Sequence, residues 1–462
     1  MAKQLDLKDN SIHNLQGGYW NQRMIKPLDI KKLDYNKLRT LSEDLNSKLQ
    51  DKFFREKYIH LFGENYEHNT DDDLLKVHGW NENNYLIETG NLVGSVSTKD
   101  FKINISSRFG DDFLKYVLCY TEGTLEIPDE GTIGKDGLYE WVMIFLWKTA
   151  LQRASRLGIP KQYIPKQEKL YSVKGNVDLL NYTIYRGMDG KILSNYYQYD
   201  FNNPVTQLIA YTFSKIWKKA FIQDCARLRN TFECCVDGKK TSLSTCLNTR
   251  PIANPYYSDY NKVISLSKSI LRRKYGDITD TSDISSAFLF DMSMLFEFFV
   301  RKVISKKRKL FVKNDNSMTI SRGLGKNNDR NLYPDIIIDK GEGKIEVYDV
   351  KYKHFNFQKG VNREDLFQMH TYVSYLSNDY TVLKCGIIYP NSGGTVKSIE
   401  NNIIRHPKNQ DGIPFNICFF NIPKAESIED KKENNKEDNS LEKFKDFKDR
   451  MKQSNEDFLT LF

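Results

Sequence analysis

The sequence predicts a multidomain protein that combines α+β and α/β organisation, and three observations support this fold class. With 462 residues the chain is too long for one hydrophobic core, so roughly two to four domains are expected. The residue pattern changes along the chain, from mixed helix and strand, to mostly helix, to strands that alternate with helices. Hydrophobic residues form 39% of the chain and aromatic residues 13%, which is enough to fill globular cores.

The first two predicted domains differ in their periodicity. Residues 1–155 are predicted to form an α+β domain, because period-2 alternation in "NYLIETGNLVGSVSTKDFKINISSRFG" indicates a small antiparallel sheet. A polar helical pattern, "KLRTLSEDLNSKLQDKFFREKYIHLFG", precedes that sheet. Residues 156–278 are predicted to form a mostly helical middle domain with a long loop, "DGKKTSLSTCLNTRPIANPYYSDY".

The third predicted domain, residues 279–424, has the pattern of a compact α/β domain with a mixed central sheet. It opens with the apolar helix "SSAFLFDMSMLFEFFVRKVISKK" and ends in the strand "GIPFNICFFNIPK". Residues 425–462 are nearly all charged or amide side chains. This composition predicts a disordered tail that ends in a short helix.

Composition restricts the class of protein. No stretch approaches the roughly 20 continuous apolar residues that cross a bilayer, and the first residues lack the profile of a secretory signal. The seven cysteines are scattered without a CxxC pair, which argues against a structural zinc site or a disulfide framework and predicts a cytoplasmic location. A net charge of +9 favours polyanionic partners.

The segment "LYPDIIIDKGEGKIEVYDVKYK" holds the residues with the clearest chemistry. Two strands joined around two glycines predict a hairpin whose register puts Asp335 within about one position of Asp349. Asp349 and Lys351 are two positions apart, so they share one face of the strand. Two adjacent carboxylates repel each other unless a cation lies between them, and Mg²⁺ binds one or two carboxylates with waters and phosphate oxygens. The sequence therefore predicts Mg²⁺-dependent phosphodiester hydrolysis, with Lys351 orienting the nucleophile or countering charge on the phosphate.

The helices on either side of this hairpin carry further candidates. Glu297 is an acid near the centre of an apolar helix, where an unpaired carboxylate is costly to bury, and it is predicted to complete the metal site. The alternative is an i,i+4 pair with Arg301 on an exposed edge. Gln368 and Tyr372 lie four positions apart in "REDLFQMHTYVSYL" and share one helix face, from which they are predicted to contact the nucleotide or the phosphate. The alternative is that they are solvated or packing residues.

Some of these signals are weak when taken singly. The Asp-x-Lys tripeptide also occurs in polar contexts at Asp6, Asp29 and Asp446, and the alternative for the hairpin is an ordinary surface hairpin with a salt bridge. His354 and His370 are possible bases, but a metal-activated water needs neither, so ordinary polar histidines are the favoured interpretation.

The order of these motifs resembles the PD-(D/E)xK nuclease superfamily, in the branch with a QxxxY helix. The segments "GNLVGSVSTKDFKINISSRFG", "VKGNVDLL", "NNPVTQLIAYTF", "FLFDMSMLFEFFV" and the hairpin also resemble, in order and spacing, the McrC family and its relatives in LlaJI- and BsuMI-type restriction systems. The likeness covers roughly residues 85–420. It implies a restriction-endonuclease-like fold for residues 279–424. It also implies a residue set with metal ligands at Asp335, Asp349 and Glu297, and further catalytic residues at Lys351, Gln368 and Tyr372.

The resemblance also implies partners. Proteins of this family work with a McrB-like AAA+ GTPase, so residues 1–155 are expected to dock on such a partner and stimulate it, while the nuclease cuts double-stranded DNA in defence against phage and other foreign DNA. This would make the chain a component of a type II or type IV-like restriction enzyme. The chain has no GxxxxGK[ST] phosphate loop, so GTP or ATP is expected to be used by the partner.

Two alternative functions stay open from the sequence. One is a non-catalytic adaptor that stimulates the AAA+ partner, although the intact Asp335, Asp349 and Lys351 argue against it. The other is a RecB-like DNA repair nuclease, whose relatives often hold an iron-sulfur cluster with four cysteines. Only Cys385 and Cys418 lie near the predicted nuclease core, which makes that cluster a poor expectation.

Overall fold

The computed structural model forms two compact units. The first comprises Met1–Ile127 together with Phe288–Phe462, and the second comprises Pro128–Ala287. The described residues are 3–14, 18–20, 23–27, 35–50, 73–81, 84–122, 135–178, 190–236, 241–275, 284–311, 318–321, 330–392, 394–406, 409–424 and 436–462.

The α-helices are, in chain order, α1 (Tyr35–Gln50), α2 (Asp111–Glu122), α3 (Lys135–Ala154), α4 (Pro204–Ile216), α5 (Ala226–Cys235), α6 (Leu243–Leu247), α7 (Tyr260–Tyr275), α8 (Met292–Ser305), α9 (Arg363–Leu376) and α10 (Lys436–Leu459). The strands are β1 (Lys3–Lys8), β2 (Ile12–Asn14), β3 (Gly18–Trp20), β4 (Arg23–Pro27), β5 (Leu75–Asn81), β6 (Asn84–Thr89), β7 (Leu92–Thr98), β8 (Phe101–Ser106), β9 (Gln162–Leu170), β10 (Asn176–Val177), β11 (Ile192–Asp200), β12 (Ile284–Asp291), β13 (Met318–Ser321), β14 (Arg330–Leu332), β15 (Ile336–Gly341), β16 (Lys344–Val350), β17 (Thr381–Ser392), β18 (Ser398–His406) and β19 (Asn409–Ile422). No helix among the described residues is long and apolar enough to span a membrane.

The N-terminal strands form two sheets, with strand orders β1-β8-β7-β12 and β3-β4-β2-β6-β5. The antiparallel pairing predicted for this region is present between β7 and β8. Gly94 of β7 has a positive φ of 146°, and a Cβ at that position would lie 1.9 Å from the carbonyl oxygen of Phe288. Only glycine therefore allows β7 to approach β12 this closely.

The predicted mixed sheet of the C-terminal region is also present, in the order β15-β16-β17-β19-β18. β16, β17 and β19 are parallel neighbours, while β15 and β18 pair antiparallel at the two edges. The β15–β16 hairpin turns at Glu342 and Gly343, whose φ angles are 55° and 70°. Positive φ at both central residues matches the twist of a tight hairpin and fixes its register.

The two faces of this sheet are covered by different helices. On one face, α9 packs Met369, Tyr372 and Val373 against Ile337 and Val347 of the hairpin. On the other face, aromatic side chains meet: the Tyr352 ring lies 5.7 Å from Phe296 of α8, and the Tyr348 ring lies 4.8 Å from Phe462. The alternation along β16 therefore separates a polar and aliphatic face from an aromatic one.

The C-terminal helix α10 corrects the prediction of a disordered tail for residues 425–462. Phe447, Met451 and Phe458 are buried at 1%, 0% and 3% exposure, and the Phe458 ring lies 5.0 Å from Phe420 of β19. These apolar residues recur at helical spacing along a segment that is otherwise charged, so average composition hides a narrow apolar stripe. Residues 425–435 lie outside the described residues.

The division into units also differs from the predicted segments. The N-terminal segment and the C-terminal half share one unit, in which the Tyr352 hydroxyl donates to Asp9 Oδ2 at 2.7 Å and Asn10 Nδ2 donates to the Tyr352 carbonyl oxygen at 3.1 Å. The second unit begins before the predicted boundary at residue 155 and includes helix α3. Contacts between residues hundreds of positions apart leave no periodic signal, so the sequence pattern could not reveal this grouping.

The described residues of the second unit are mostly helical and include a small sheet of order β10-β11-β9. Its helices pack around Trp147 of α3, whose indole Nε1 donates to Ser267 Oγ at 2.7 Å. The sheet exposes several aromatic side chains to solvent: Tyr163, Tyr197 and Tyr199. The predicted long loop contains the short helix α6, and its residues 237–240 lie outside the described part of the chain.

Candidate active site

Asp335 and Asp349 meet where β15 begins and β16 ends. Ile336 pairs with Tyr348, so the next position along the ladder sets Asp335 opposite Asp349, which confirms the predicted register. The backbone N–H of Val350 donates to Asp335 Oδ2 at 2.8 Å and fixes the orientation of that carboxylate.

The Asp349 carboxylate is 3% exposed and has an oxygen that accepts no hydrogen bond from the described residues. Burial, and then the charge of Asp335, raise the pKa of Asp349 from 3.8 to about 8, although the charge of Lys351 offsets part of this effect. Lys351 Nζ lies 2.8 Å from this oxygen, Oδ2, as an ion pair without hydrogen-bond alignment. A buried carboxylate oxygen of this kind is suited to accept a cation.

Lys351 is held in its charged form. Burial lowers the pKa of Lys351, but the negative charges of Asp349, Asp335 and Asp365 outweigh burial, so its pKa lies above the ordinary 10.5. Besides the Asp349 ion pair, Lys351 Nζ donates to Gln368 Oε1 at 2.7 Å. The amine can therefore counter negative charge in this site, but it is not a proton acceptor at neutral pH.

Gln368 and Tyr372 form a hydrogen-bond chain that begins at Lys351. A lysine ammonium only donates, so Gln368 presents Oε1 to it and donates its Nε2 to the Tyr372 hydroxyl at 2.6 Å. Tyr372 in turn donates to the Tyr333 carbonyl oxygen at 3.2 Å. Because Tyr333 precedes Asp335 by two residues, the chain ties Lys351 to the loop that carries Asp335. The predicted contact of Gln368 and Tyr372 with nucleotide or phosphate stays a prediction.

Helix α8 contributes Arg301 to the site. Arg301 Nη1 donates to the Asp335 carbonyl oxygen at 2.5 Å, and Nη2 donates to the Phe311 carbonyl oxygen. Burial lowers the pKa of Arg301, and the charges of Glu297 and Asp335 oppose that effect. Glu297 therefore acts electrostatically on a residue that holds the Asp335 backbone.

The residues present fit a divalent cation at the Asp335–Asp349 pair. Over the described part of the chain, no group of three or more His, Cys, Asp or Glu side chains is arranged to hold a metal ion. The structure thus brings Asp335 and Asp349 together, and the metal-binding role of Glu297 stays a prediction. Two carboxylates are sufficient for Mg²⁺, because Mg²⁺ keeps waters and phosphate oxygens as its other ligands.

Two residues of this cluster were missed by the sequence reasoning. Asp365 of α9 is 5% exposed, and its Oδ1 lies 3.8 Å from Lys351 Nζ and 3.2 Å from Lys353 Nζ. The available signals were the spacing of Lys353, two residues beyond Lys351, and the position of Asp365, three residues before Gln368 on the same helix face. Both signals are too common to be singled out without the fold.

The candidate histidines behave as ordinary surface residues. His354 and His370 are exposed, and the His370 Nε2 lies 3.2 Å from the Arg405 carbonyl oxygen. This placement agrees with the favoured interpretation that neither histidine is needed as a base.

Together these residues place two carboxylates, a fixed ammonium group and a bridging hydrogen-bond chain within one cluster. Such a set can bind a divalent cation and neutralise charge on a phosphate oxygen. Serine or cysteine nucleophile chemistry would need a different set of side chains.

Comparison with solved structures shows a related fold. A chain of the refined half-complex from the tetradecameric assembly of Thermococcus gammatolerans McrB AAA+ hexamers with bound McrC is 14% identical, with a TM-score of 0.51 over 96% of this chain and 100% of that chain. A chain of the Thermococcus gammatolerans McrBC complex, solved by cryo-electron microscopy, is 14% identical, with a TM-score of 0.34 over 66% of this chain and 88% of that chain. No curated protein matches the sequence.

A family model gives the decisive comparison. The model described as McrBC 5-methylcytosine restriction system component matches residues 87–390, which is more than half of the chain and includes the whole carboxylate and lysine cluster. The family resemblance inferred from the motifs is thereby confirmed, and the protein belongs to the McrBC 5-methylcytosine restriction system component family.

Proposed function

We propose that this chain is the DNA endonuclease subunit of a restriction system and that it hydrolyses phosphodiester bonds with the help of a divalent cation. The observation that carries the proposal is the buried Asp349 carboxylate, set opposite Asp335 and 2.8 Å from the charged Lys351. Its position on a mixed sheet next to a QxxxY helix supports a PD-(D/E)xK nuclease domain.

Each residue has a distinct role in this proposal. Asp335 and Asp349 would hold the cation, and the Val350 N–H fixes the orientation of the Asp335 carboxylate. Lys351 stabilises the negative charge that builds on the phosphate in the transition state. Gln368 and Tyr372 keep Lys351 and the Asp335 loop at a constant separation.

Mg²⁺ is the proposed cation because its oxygen-rich coordination suits two carboxylates and a phosphate. When bound, it would supply a positive charge that polarises the phosphate and lowers the pKa of water. Glu297 is retained as a candidate third acid, acting from α8 either on the cation or through Arg301.

We further propose a McrB-like AAA+ GTPase as the partner. The family match and the shared fold with a chain from an assembly of McrB AAA+ hexamers with bound McrC support this partner. The sequence predicts that residues 1–155 dock on it. The exposed aromatic side chains on β9 and β11 of the second unit, Tyr163, Tyr197 and Tyr199, offer an additional surface of the kind that partners cover.

A second candidate function is the adaptor that stimulates its partner without cutting DNA. The same exposed tyrosines suit an adaptor equally well, so the cleavage chemistry must be tested directly.

The proposal is tested with the full chain, methylated and unmethylated plasmid DNA and Mg²⁺. The chain is assayed alone and with a McrB-like AAA+ protein from the same genome, with GTP or ATP. We expect cleavage in the complete mixture and at least a 1,000-fold loss, about 4 kcal/mol of transition-state stabilisation, in Asp349→Ala and Lys351→Ala. Nucleotide hydrolysis by the partner is recorded in the same samples.

The control is the exposed strand residue Lys344, replaced by Gln, which lies at the far end of β16 and should cut at the wild-type rate. Equal cleavage by wild type and Asp349→Ala would reject the nuclease proposal. Stimulated nucleotide hydrolysis without any cleavage would favour the adaptor function.

A further inference from the structure

The candidate active site holds a second lysine that the proposed chemistry leaves unused. Lys353 Nζ donates to Asp365 Oδ1 at 3.2 Å and lies 3.5 Å from Oδ2. The same Oδ1 is 3.8 Å from Lys351 Nζ. The Lys353 side chain is 49% exposed and the Lys351 side chain is 17% exposed. The buried Asp365 carboxylate therefore contacts one mostly buried ammonium group and one exposed ammonium group.

Helix stability alone does not account for Asp365. An acid in the first turn of α9 favours the helix dipole, but Glu364 lies in the same turn and is exposed to solvent. Burying a carboxylate costs free energy unless charged partners compensate, and such a group adds little stability compared with apolar packing. The burial of Asp365 is therefore better explained by a role in positioning the two lysines that it contacts, Lys351 and Lys353.

The Lys353 end of this pair is exposed to solvent, where a DNA phosphate can contact it. Duplex DNA carries a negative charge at every phosphate, and lysines bind these phosphates without reading sequence. Both ammonium groups contact the same Asp365 oxygen, so their separation is set by one carboxylate.

We propose that Lys353 binds a phosphate next to the one that is cut, and that Asp365 is the positioning residue that holds Lys353 and Lys351 at a fixed separation. This inference rests on the proposed nuclease function. It adds Lys353 and Asp365 to the residues already proposed for that function.

Lys353 is tested by DNA binding at several salt concentrations. The complete chain, assembled with its AAA+ partner and without divalent cation, is titrated into a short fluorescent duplex. One lost phosphate contact makes the slope of log K against log salt less negative by about 0.9 in Lys353→Gln. The matched control is Lys344→Gln, since Lys344 has a similar side-chain exposure of 46% at the other end of the strand. A wild-type slope in Lys353→Gln would overturn the phosphate contact.

Asp365 is tested by single-turnover cleavage at saturating DNA. Asp365→Asn should cut about 10- to 100-fold more slowly while its salt slope stays that of wild type, because both lysines remain but their separation is no longer fixed. Glu364→Gln removes the same charge from the same helix turn and should cut normally. Asp365→Glu, which keeps the carboxylate, should recover part of the rate.

A wild-type rate in Asp365→Asn overturns the positioning role. If Asp365→Asn fails to fold in a thermal melt, Asp365→Glu decides: a slowed but folded enzyme supports the role, and a wild-type rate overturns it. Wild type and Asp349→Ala are run beside these variants. A wild-type chain that does not cut refutes the nuclease function itself, whereas normal wild-type cleavage with unaffected Lys353 and Asp365 variants refutes only this inference.

Discussion

Two buried carboxylates, Asp349 of strand β16 and Asp9 beside Tyr352, differ in the groups that surround them. Asp349 has an oxygen without an aligned hydrogen bond from the described residues. Asp9 meets Tyr352: its Oδ2 accepts the Tyr352 hydroxyl at 2.7 Å, and its Oδ1 accepts the Arg108 backbone N–H at 2.6 Å. Both carboxylates are almost fully buried, at 3% and 0% exposure.

This difference separates a structural carboxylate from a candidate functional one. Burial raises the pKa of Asp9 above its usual value, and the Arg108 charge, the Tyr352 hydroxyl and the Arg108 backbone N–H offset part of that rise. The neighbouring groups of Asp9 therefore favour its charged form. At Asp349 the second carboxylate, Asp335, adds repulsion to burial. A site that keeps such repulsion reduces stability, and proteins retain it where a ligand relieves it.

The largest expected effect is the loss of the Asp9 carboxylate. Asp9→Ala leaves the buried Tyr352 hydroxyl and the Arg108 N–H without their acceptor, so the free energy of unfolding should fall by about 3 to 5 kcal/mol. Above about pH 8, where the Asp349 carboxyl is ionised, Asp349→Asn should instead leave the stability of the metal-free chain unchanged or higher, because it removes repulsion with Asp335. Urea unfolding of both variants beside wild type measures the contrast. Equal losses in the two variants would show that Asp349 is a structural carboxylate after all.

The next effect concerns the aromatic face of the sheet, which depends on the C-terminal helix. Met451 is fully buried, so Met451→Ala should lower the free energy of unfolding by about 3 kcal/mol through lost contacts and a cavity. Lys452→Ala, at an exposed position on the same helix, should change it by less than about 0.5 kcal/mol. Both are measured by urea unfolding. A Met451→Ala chain as stable as wild type would contradict the packing of α10 and favour the disordered tail predicted for residues 425–462.

The same contrast explains what the sequence could predict. Asp335, Asp349 and Lys351 lie within one hairpin, so strand alternation was sufficient to bring them together. Helical spacing placed Gln368 and Tyr372 on one face of the next helix, but it did not predict their hydrogen-bond chain to Lys351. The aromatic face receives its partners from both ends of the chain, Asp9 for Tyr352 and Phe462 for Tyr348.

Helical and strand spacing relates only residues that are close in sequence. The Asp9 contact and the packing of α10 therefore required the fold, and this is why the N-terminal segment was assigned a domain of its own and the C-terminal segment was predicted to be disordered. Asp365 was missed for another reason: an acid in the first turn of a helix has a common explanation, and only its two lysine contacts distinguish it.

The smallest expected effect is the pH dependence of stability that arises from Asp349. The pKa of Asp349 is raised from 3.8 to about 8 in the folded chain, so the fold favours the protonated carboxyl. Its contribution to stability is therefore present at low pH and is lost as pH rises from about 4 through about 8. Mg²⁺ competes with that proton, so stabilisation by Mg²⁺ should be larger at about pH 9 than at about pH 6.

Thermal melts of wild type and Asp349→Asn, with and without Mg²⁺ at both pH values, isolate this contribution, because all other titrating groups are common to the two chains. Without metal, the midpoint of wild type should fall relative to that of Asp349→Asn as pH rises, by a few degrees. With Mg²⁺ at the higher pH, wild type should regain stability and the variant should not. A difference between the two chains that is constant with pH and metal would mean that Asp349 is a structural carboxylate, as Asp9 is, and the distinction between the two would no longer hold.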